Sequence, residues 1–169
     1  MKRIAILITA ILFLVVSCKR DMPSDSSEPA VMADVSQNEA NFRKTLQKHL
    51  DAVTNRNLDS LKSTMSPDGK MQLILPGSEI IKSVDSFIDF HKEWFQDTTW
   101  TFKTEILSTE IGDRIGTAVT EIRYEEPLRE GGSYYNRMIV TYGLEKLDGK
   151  WYVIQDHASS IEKSTDPKE

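Results

Sequence analysis

The run Trp151 to Ser159, WYVIQDHAS, places Trp151, Val153, Gln155, His157 and Ser159 on one face of an extended strand by strict alternation. Tyr152, Ile154, Asp156 and Ala158 then take the other face. An imidazole turned toward covering helices can serve as a general acid or base near neutral pH, as a ligand donor, or as an anchor for a carboxylate. His157 is the candidate catalytic residue, and a purely structural histidine bonded to a neighbouring backbone or hydroxyl group is the plainer alternative. Both faces carry apolar residues, so the sequence leaves open which one points inward. Upstream, Phe87, Phe90, His91, Trp94 and Phe95 group along one side of a helical stretch. Aromatics at that spacing fill a core, or line an apolar pocket where space is left. His91 and His157 could approach as a metal pair, but no third ligand has matching spacing, and no metal is expected. His49, between Leu46 and Leu50, reads as a helix-flank residue. Arg123 beside Glu121 and Glu125, and Arg137 on the next strand, could hold an anion, although charge pairing on a solvent face accounts for them more simply. Gly112 and Gly116 have hairpin rather than phosphate-loop spacing, Ser159-Ser160 lacks a nucleophile-elbow context, and no cofactor is expected.

The elements that must position these residues divide into helices first and strands second. Ser36 with Glu39 forms a capping-box pattern, and Phe42, Leu46, Leu50 and Val53 recur at helical spacing, predicting a helix over Gln37 to Thr54. Leu58, Leu61 and Met65 predict a short second helix ending at Ser66-Pro67-Asp68-Gly69. A brief strand, Met71 to Leu75, stops at Pro76-Gly77, and a third helix follows from Val84 to Gln96 with Ser83 as its cap. Beyond Asp97 the period becomes two: Trp100 to Ser108, Ile115 to Glu125, Tyr134 to Leu147 and Trp151 to Ser159 read as strands joined by hairpin signals, with Asp148-Gly149 a two-residue turn. Helices followed by an antiparallel meander give an α+β domain with the helices on one face of a curved sheet. The chain from Glu162 to Glu169 is polar.

The amino terminus carries a different message. Lys2 and Arg3 precede an apolar run, Ile4 to Val16, which is shorter than the roughly 20 residues a spanning helix needs, so Met1 to Ser17 reads as a cleaved export signal. Val15-Val16-Ser17-Cys18 resembles the bacterial lipobox, which implies acyl chains on Cys18, the chain's single cysteine. Two or three acyl chains, at roughly 0.8 kcal/mol per buried CH₂, hold a protein on a bilayer. Lys19 stands where an aspartate would retain a lipoprotein at the inner membrane, which favours the outer membrane of a bacterial envelope. Residues 18 to 35, rich in Ser, Pro, Asp and Glu, read as a disordered tether. Two of the chain's 21 cations precede Cys18, so the rest carries 19 against 26 acids, a balance that argues against nucleic acid as a partner.

Helix, short helix, short strand, aromatic helix and a meander closing in Asp148-Gly149-Lys150-Trp151, Val153-Ile154, His157 and Ser159 resembles the nuclear transport factor 2-like superfamily and its SnoaL-like group. The resemblance spans about residues 38 to 161. It implies a cone-shaped, cystatin-like α+β roll, with N-terminal helices packed on a curved antiparallel sheet of four to five strands, a cavity between them, and homodimerisation through the outer sheet face. In such a cone the expected ligand-binding set is Phe87, Phe90, His91, Trp94, Tyr142, His157 and Ser159. The strand carboxylate and the tyrosine with a protonated acid used by ketosteroid-isomerase-like members have no aligned counterparts here. The expectation is therefore a lipid-anchored domain that binds a small, largely apolar ligand or a partner. An isomerase, dehydratase or hydrolase using His157, and an assembly role through the outer sheet face, are the alternatives.

Overall fold

The computed structural model describes residues 28–167, so the export signal, Cys18 and the start of the tether lie outside the described residues. Helix α1 occupies Glu28–Thr54 and begins ahead of the expected Gln37. Pro29 suits a first helical turn, and Ala30, Met32 and Ala33 favour helix with no Gly or Pro break before Ser36. Glu28 to Val35, read above as tether, is therefore helical, and Ser36 and Glu39 lie inside α1 instead of capping it. Phe42, Leu46, Leu50 and Val53 form the buried stripe of this helix, and His49 lies on it too, fully buried. Positions 46, 49, 50 and 53 follow the i, i+3, i+4, i+7 rule, so His49 is a core residue and not a flank residue.

At the end of α1 the chain turns through Arg56, which adopts a left-handed φ of 54°. Its guanidinium stacks over the Trp100 ring at 3.7 Å and donates to the carbonyls of Asp97 and Trp100, tying the helix end to the start of the long meander. Asn57 caps the short α2 (Leu58–Lys62), its side chain accepting from the Ser60 N–H at 2.9 Å. Helix α3 (Val84–Trp94) starts at Ser83, whose hydroxyl accepts from the Ser86 N–H.

Six strands form one sheet: β1 (Gln72–Ile74), β2 (Ile80–Lys82), β3 (Thr101–Ile111), β4 (Ile115–Glu126), β5 (Tyr134–Leu147) and β6 (Lys150–Lys163), in the order β2-β1-β6-β5-β4-β3. The sheet is mixed and wider than the four to five antiparallel strands expected. The short β1 docks parallel to β6, and β2, which the sequence reading left out, folds back on its outer edge. From β3 to β6 all pairings are antiparallel, and the β5–β6 turn at Asp148-Gly149 has both φ angles positive, at 47° and 79°.

The helices cover one face of this sheet. Phe42 meets Trp151 edge-on at 5.1 Å, and α1 comes so close to β4 that a Cβ on Gly116 would lie 2.6 Å from the Phe42 ring. At the other end Trp94 stacks on Trp100 at 4.4 Å, with Phe102 and Tyr124 around them. Strand β6 carries two register shifts against β5. Leu144 faces Val153 while Gly143 faces Gln155, so Ile154 is an inserted residue, and a second insertion falls at Ile161.

Candidate functional site

Between helices and sheet the domain leaves a cavity of about 240 Å³. Val53 of α1 and Leu73 of β1 close one end, and Phe90, His91 and Trp94 of α3 form the roof. Met138, Val140 and Ala158 make the apolar floor. Leu75 and the exposed Pro76, from the turn after β1, form a rim, with Tyr124 and Asn136 on the sheet side.

The bulge at Ile154 decides which chemistry enters this space. Trp151 and Val153 face the helices, as alternation requires, but the inserted residue reverses the phase beyond it. Asp156, Ala158 and Ser160 consequently point inward, while His157 and Ser159 are exposed on the outer face, paired across the ladders with Thr141 and Ile139. The expected placement of His157 and Ser159 in the cavity is therefore corrected. His91 and His157 lie on opposite faces of the sheet and cannot share a metal ion. Phe87 is also displaced from the expected set: it is fully buried behind the roof, packed on the His91 ring at 4.0 Å and on His49. Phe90, His91, Trp94 and Tyr142 do line the cavity.

The polar group the sequence reading missed is Asp156. It lines the cavity opposite Leu73 and pairs across the β5–β6 ladder with Tyr142. Burial raises its pKa from 3.8 to about 7, and the neighbouring Tyr142 hydroxyl pulls it partly back down. Burial and the same carboxyl push the Tyr142 phenol far up, so it remains a neutral hydrogen-bond donor. His91 donates from Nδ1 to the Phe87 carbonyl at 2.8 Å, and burial lowers its pKa to about 4. It is thus neutral at physiological pH, with Nε2 as its lone-pair nitrogen. His49, behind the wall, bonds Thr64 Oγ1 through Nδ1 at 2.9 Å. The Thr64 hydroxyl donates to the Leu61 carbonyl, so Nδ1 carries the proton and Nε2 is a buried acceptor without a partner. Burial holds the His49 pKa down at about 3.

The cavity therefore presents a carboxyl able to gain or lose a proton near neutral pH, a phenol beside it, and a neutral imidazole, within walls that are otherwise mostly apolar. That combination suits proton transfer on a small, apolar molecule. One signal for Asp156 was present in the sequence: Gly143, inside the long strand β5, marks where a bulge opposite it was to be expected.

Arg123 and Arg137 stand on the outer face, away from the cavity. Arg123 Nε bonds Glu125 at 2.7 Å and lies over the Tyr135 ring, while Arg137 pairs with Glu162 at 3.0 Å and Glu121 at 3.4 Å. These are charge pairs on a solvated sheet surface.

The solved structures that this chain resembles share its architecture at low identity. The hexachlorocyclohexane dehydrochlorinase LinA-type3 from Novosphingobium barchaimii LL02 is 16% identical, with 79% of this chain and 92% of that one covered and a TM-score of 0.68. A ketosteroid isomerase-like protein from Erwinia carotovora atroseptica SCRI1043 is 15% identical over 73% and 95% of the two chains, with a TM-score of 0.61. An NTF-2 like protein of unknown function from Shewanella oneidensis MR-1 is 17% identical over 72% and 98%, with a TM-score of 0.57. No curated protein sequence matches this chain. The SnoaL-like domain family matches residues 43–162, from the middle of α1 almost to the end of β6. With that match and an NTF2-like fold of helices on a curved sheet, the chain belongs to the SnoaL-like domain family.

Proposed function

We propose that the cone binds a small, largely apolar molecule and that Asp156 exchanges a proton with it, in a reaction of the isomerase or elimination type. The observation that carries this reading is the placement of Asp156: a carboxyl at the wall of an apolar cavity, with a pKa near 7 set by burial and tempered by Tyr142. Such a group is ionised often enough at neutral pH to take a proton and is basic enough to do so effectively. Tyr142 holds the carboxyl, and neutral His91 offers a second polar contact to a bound molecule. Similar structures named as a dehydrochlorinase and as ketosteroid isomerase-like lend support at the level of fold only. The sequence expectation of acyl chains on Cys18 adds the proposal that this chemistry takes place at a bacterial envelope membrane.

The test uses 5-nitrobenzisoxazole, a compact apolar probe. A base takes its C3 proton, the C–H electron pair forms the nitrile, and the N–O bond breaks to release a coloured phenolate. The protein is expected to accelerate this opening with a rate that rises with pH through an apparent pKa near 7, and Asp156→Asn is expected to lose at least about 100-fold, the usual worth of a positioned general base. Equal rates for the two proteins would refute the assignment.

A further inference from the structure

One polar side chain on the cavity wall lacks a partner. Asn136 lines the cavity and is only 9% exposed, and its buried Oδ1 accepts no hydrogen bond. A buried acceptor left in this state costs stability and is rare in a native fold unless something meets it. Tyr124, its neighbour across the β4–β5 ladder, does not: that hydroxyl donates to Glu126 at 2.8 Å. On the roof, His91 spends its one ring proton on the Phe87 carbonyl at 2.8 Å, which leaves Nε2 as a second lone pair. Among the described residues no lysine or arginine lines the cavity, and Asp156 adds negative charge to it whenever it ionises. The wall thus offers acceptors to a guest and has no cation to balance an anion.

We infer that the cavity selects an elongated, uncharged, apolar molecule that carries a hydroxyl at one end, its O–H donated to Asn136 Oδ1 and its body lying along Met138, Val140 and Ala158. A hydroxyl supplies the missing donor without bringing a charge into an apolar space. The last torsion of an asparagine is broad, so the amide can turn its oxygen toward that proton. An anion would set further lone pairs against an acceptor. An ammonium group would donate, but the acid beside this end is already engaged: Glu126 accepts from Tyr124 and lies 3.6 Å from Arg129. Length follows from the strand. Asn136 and Tyr142 are six residues apart on β5, about 20 Å at ~3.3 Å per residue, and Tyr142 pairs with Asp156. A molecule anchored at Asn136 therefore turns its opposite, apolar end toward Asp156, which makes that end the site of proton transfer. The inference rests on the proposed small-molecule function of the cavity and adds the class of molecule it selects.

2-Octanol and 2-octanone share one skeleton and differ in whether the oxygen carries a proton to donate. Isothermal titration calorimetry is expected to show 2-octanol binding about tenfold more tightly, the scale of one net hydrogen bond. Asn136→Leu is nearly isosteric and removes an unmet group, so its urea midpoint should hold or rise. In that variant the preference should fall to about threefold or less, with 2-octanone affinity kept within about twofold. A ketone that binds as tightly as the alcohol would overturn the inference. So would a preference undiminished in Asn136→Leu, which would put the hydroxyl on another acceptor such as His91 Nε2, or tighter binding of octanoate or 2-aminooctane than of 2-octanol. In each of these cases, and if neither octyl compound binds, Asp156-dependent opening of 5-nitrobenzisoxazole would leave the function standing. Binding of neither compound, together with no turnover of that probe, would overturn both.

Discussion

Replacing Asp156 by asparagine keeps size and hydrogen-bonding shape while removing the ionisation. In the folded protein the carboxyl titrates at about 7 against 3.8 for an unburied aspartate, so between those values the native state holds a proton that the unfolded chain has lost. A group of this sign costs stability as pH rises: its contribution is intact below about pH 4 and falls until about pH 7, where the loss levels off. The span of about three pH units, at ~1.36 kcal/mol each, corresponds to about 4 kcal/mol. His49 and His91 act in the opposite direction. Their folded values of about 3 and about 4 lie below the ordinary 6.5, so they erode stability as pH falls below 6.5. Together the three groups place the stability maximum near pH 7, where the protons still held by the two unfolded-state histidines and by the folded aspartate are about equal in number. The difference between wild type and Asp156→Asn cancels the histidines and isolates the aspartate. Urea unfolding followed by tryptophan emission should show the variant close to wild type near pH 4 and more stable by about 4 kcal/mol near pH 8. A gap constant within about 1 kcal/mol across that range would refute the claim that the folded carboxyl is held protonated by burial.

Other substitutions test the placement of the remaining groups. His157→Ala should leave 5-nitrobenzisoxazole opening unchanged and alter unfolding free energy by no more than about 0.5 kcal/mol, because the ring is exposed on the outer face; a large loss of turnover would return it to the cavity. Gly116→Ala should lower unfolding free energy by about 1–3 kcal/mol in urea denaturation, since the new Cβ would meet the Phe42 ring at 2.6 Å where α1 presses on β4.

The helices and the four long strands were legible because each obeys a single period over many residues. Phe42, Leu46, Leu50 and Val53 announce one helical face, and Asp148-Gly149 announces the last hairpin. Strand β2 escaped because three residues, Ile80 to Lys82, are too few to show a period, and its existence depends on β1 docking beside β6, a pairing distant in sequence. The roof of the cavity was legible as an aromatic stripe, although Phe87 turned out to lie one layer behind it. The floor was not. Alternation counted forward from Trp151 puts His157 inside, and a single inserted residue at Ile154 puts Asp156 there instead. The missing information was the ladder partner of each residue, which is set by β5 and not by β6 itself. His49 was misread for a simpler reason: its polarity outweighed its position on the buried stripe.

The bulge at Ile154 also bears on how such a domain can diverge. Two contiguous residues, one acidic and one basic, straddle the sheet, and the surrounding hydrogen-bond pattern selects which of them faces the cavity. Deleting Ile154 outright would straighten the strand and still leave Asp156 inward, whereas ironing out the bulge by a register slip would swap the interior from carboxyl to imidazole without changing any codon downstream. Among solved structures that share this fold at only 12–18% identity, strand-by-strand pairing is thus a sounder guide to which residues occupy equivalent places than distance along the sequence from a matching tryptophan. A slip of the ladder at this point would therefore exchange the polar side chain that lines the cavity without any substitution.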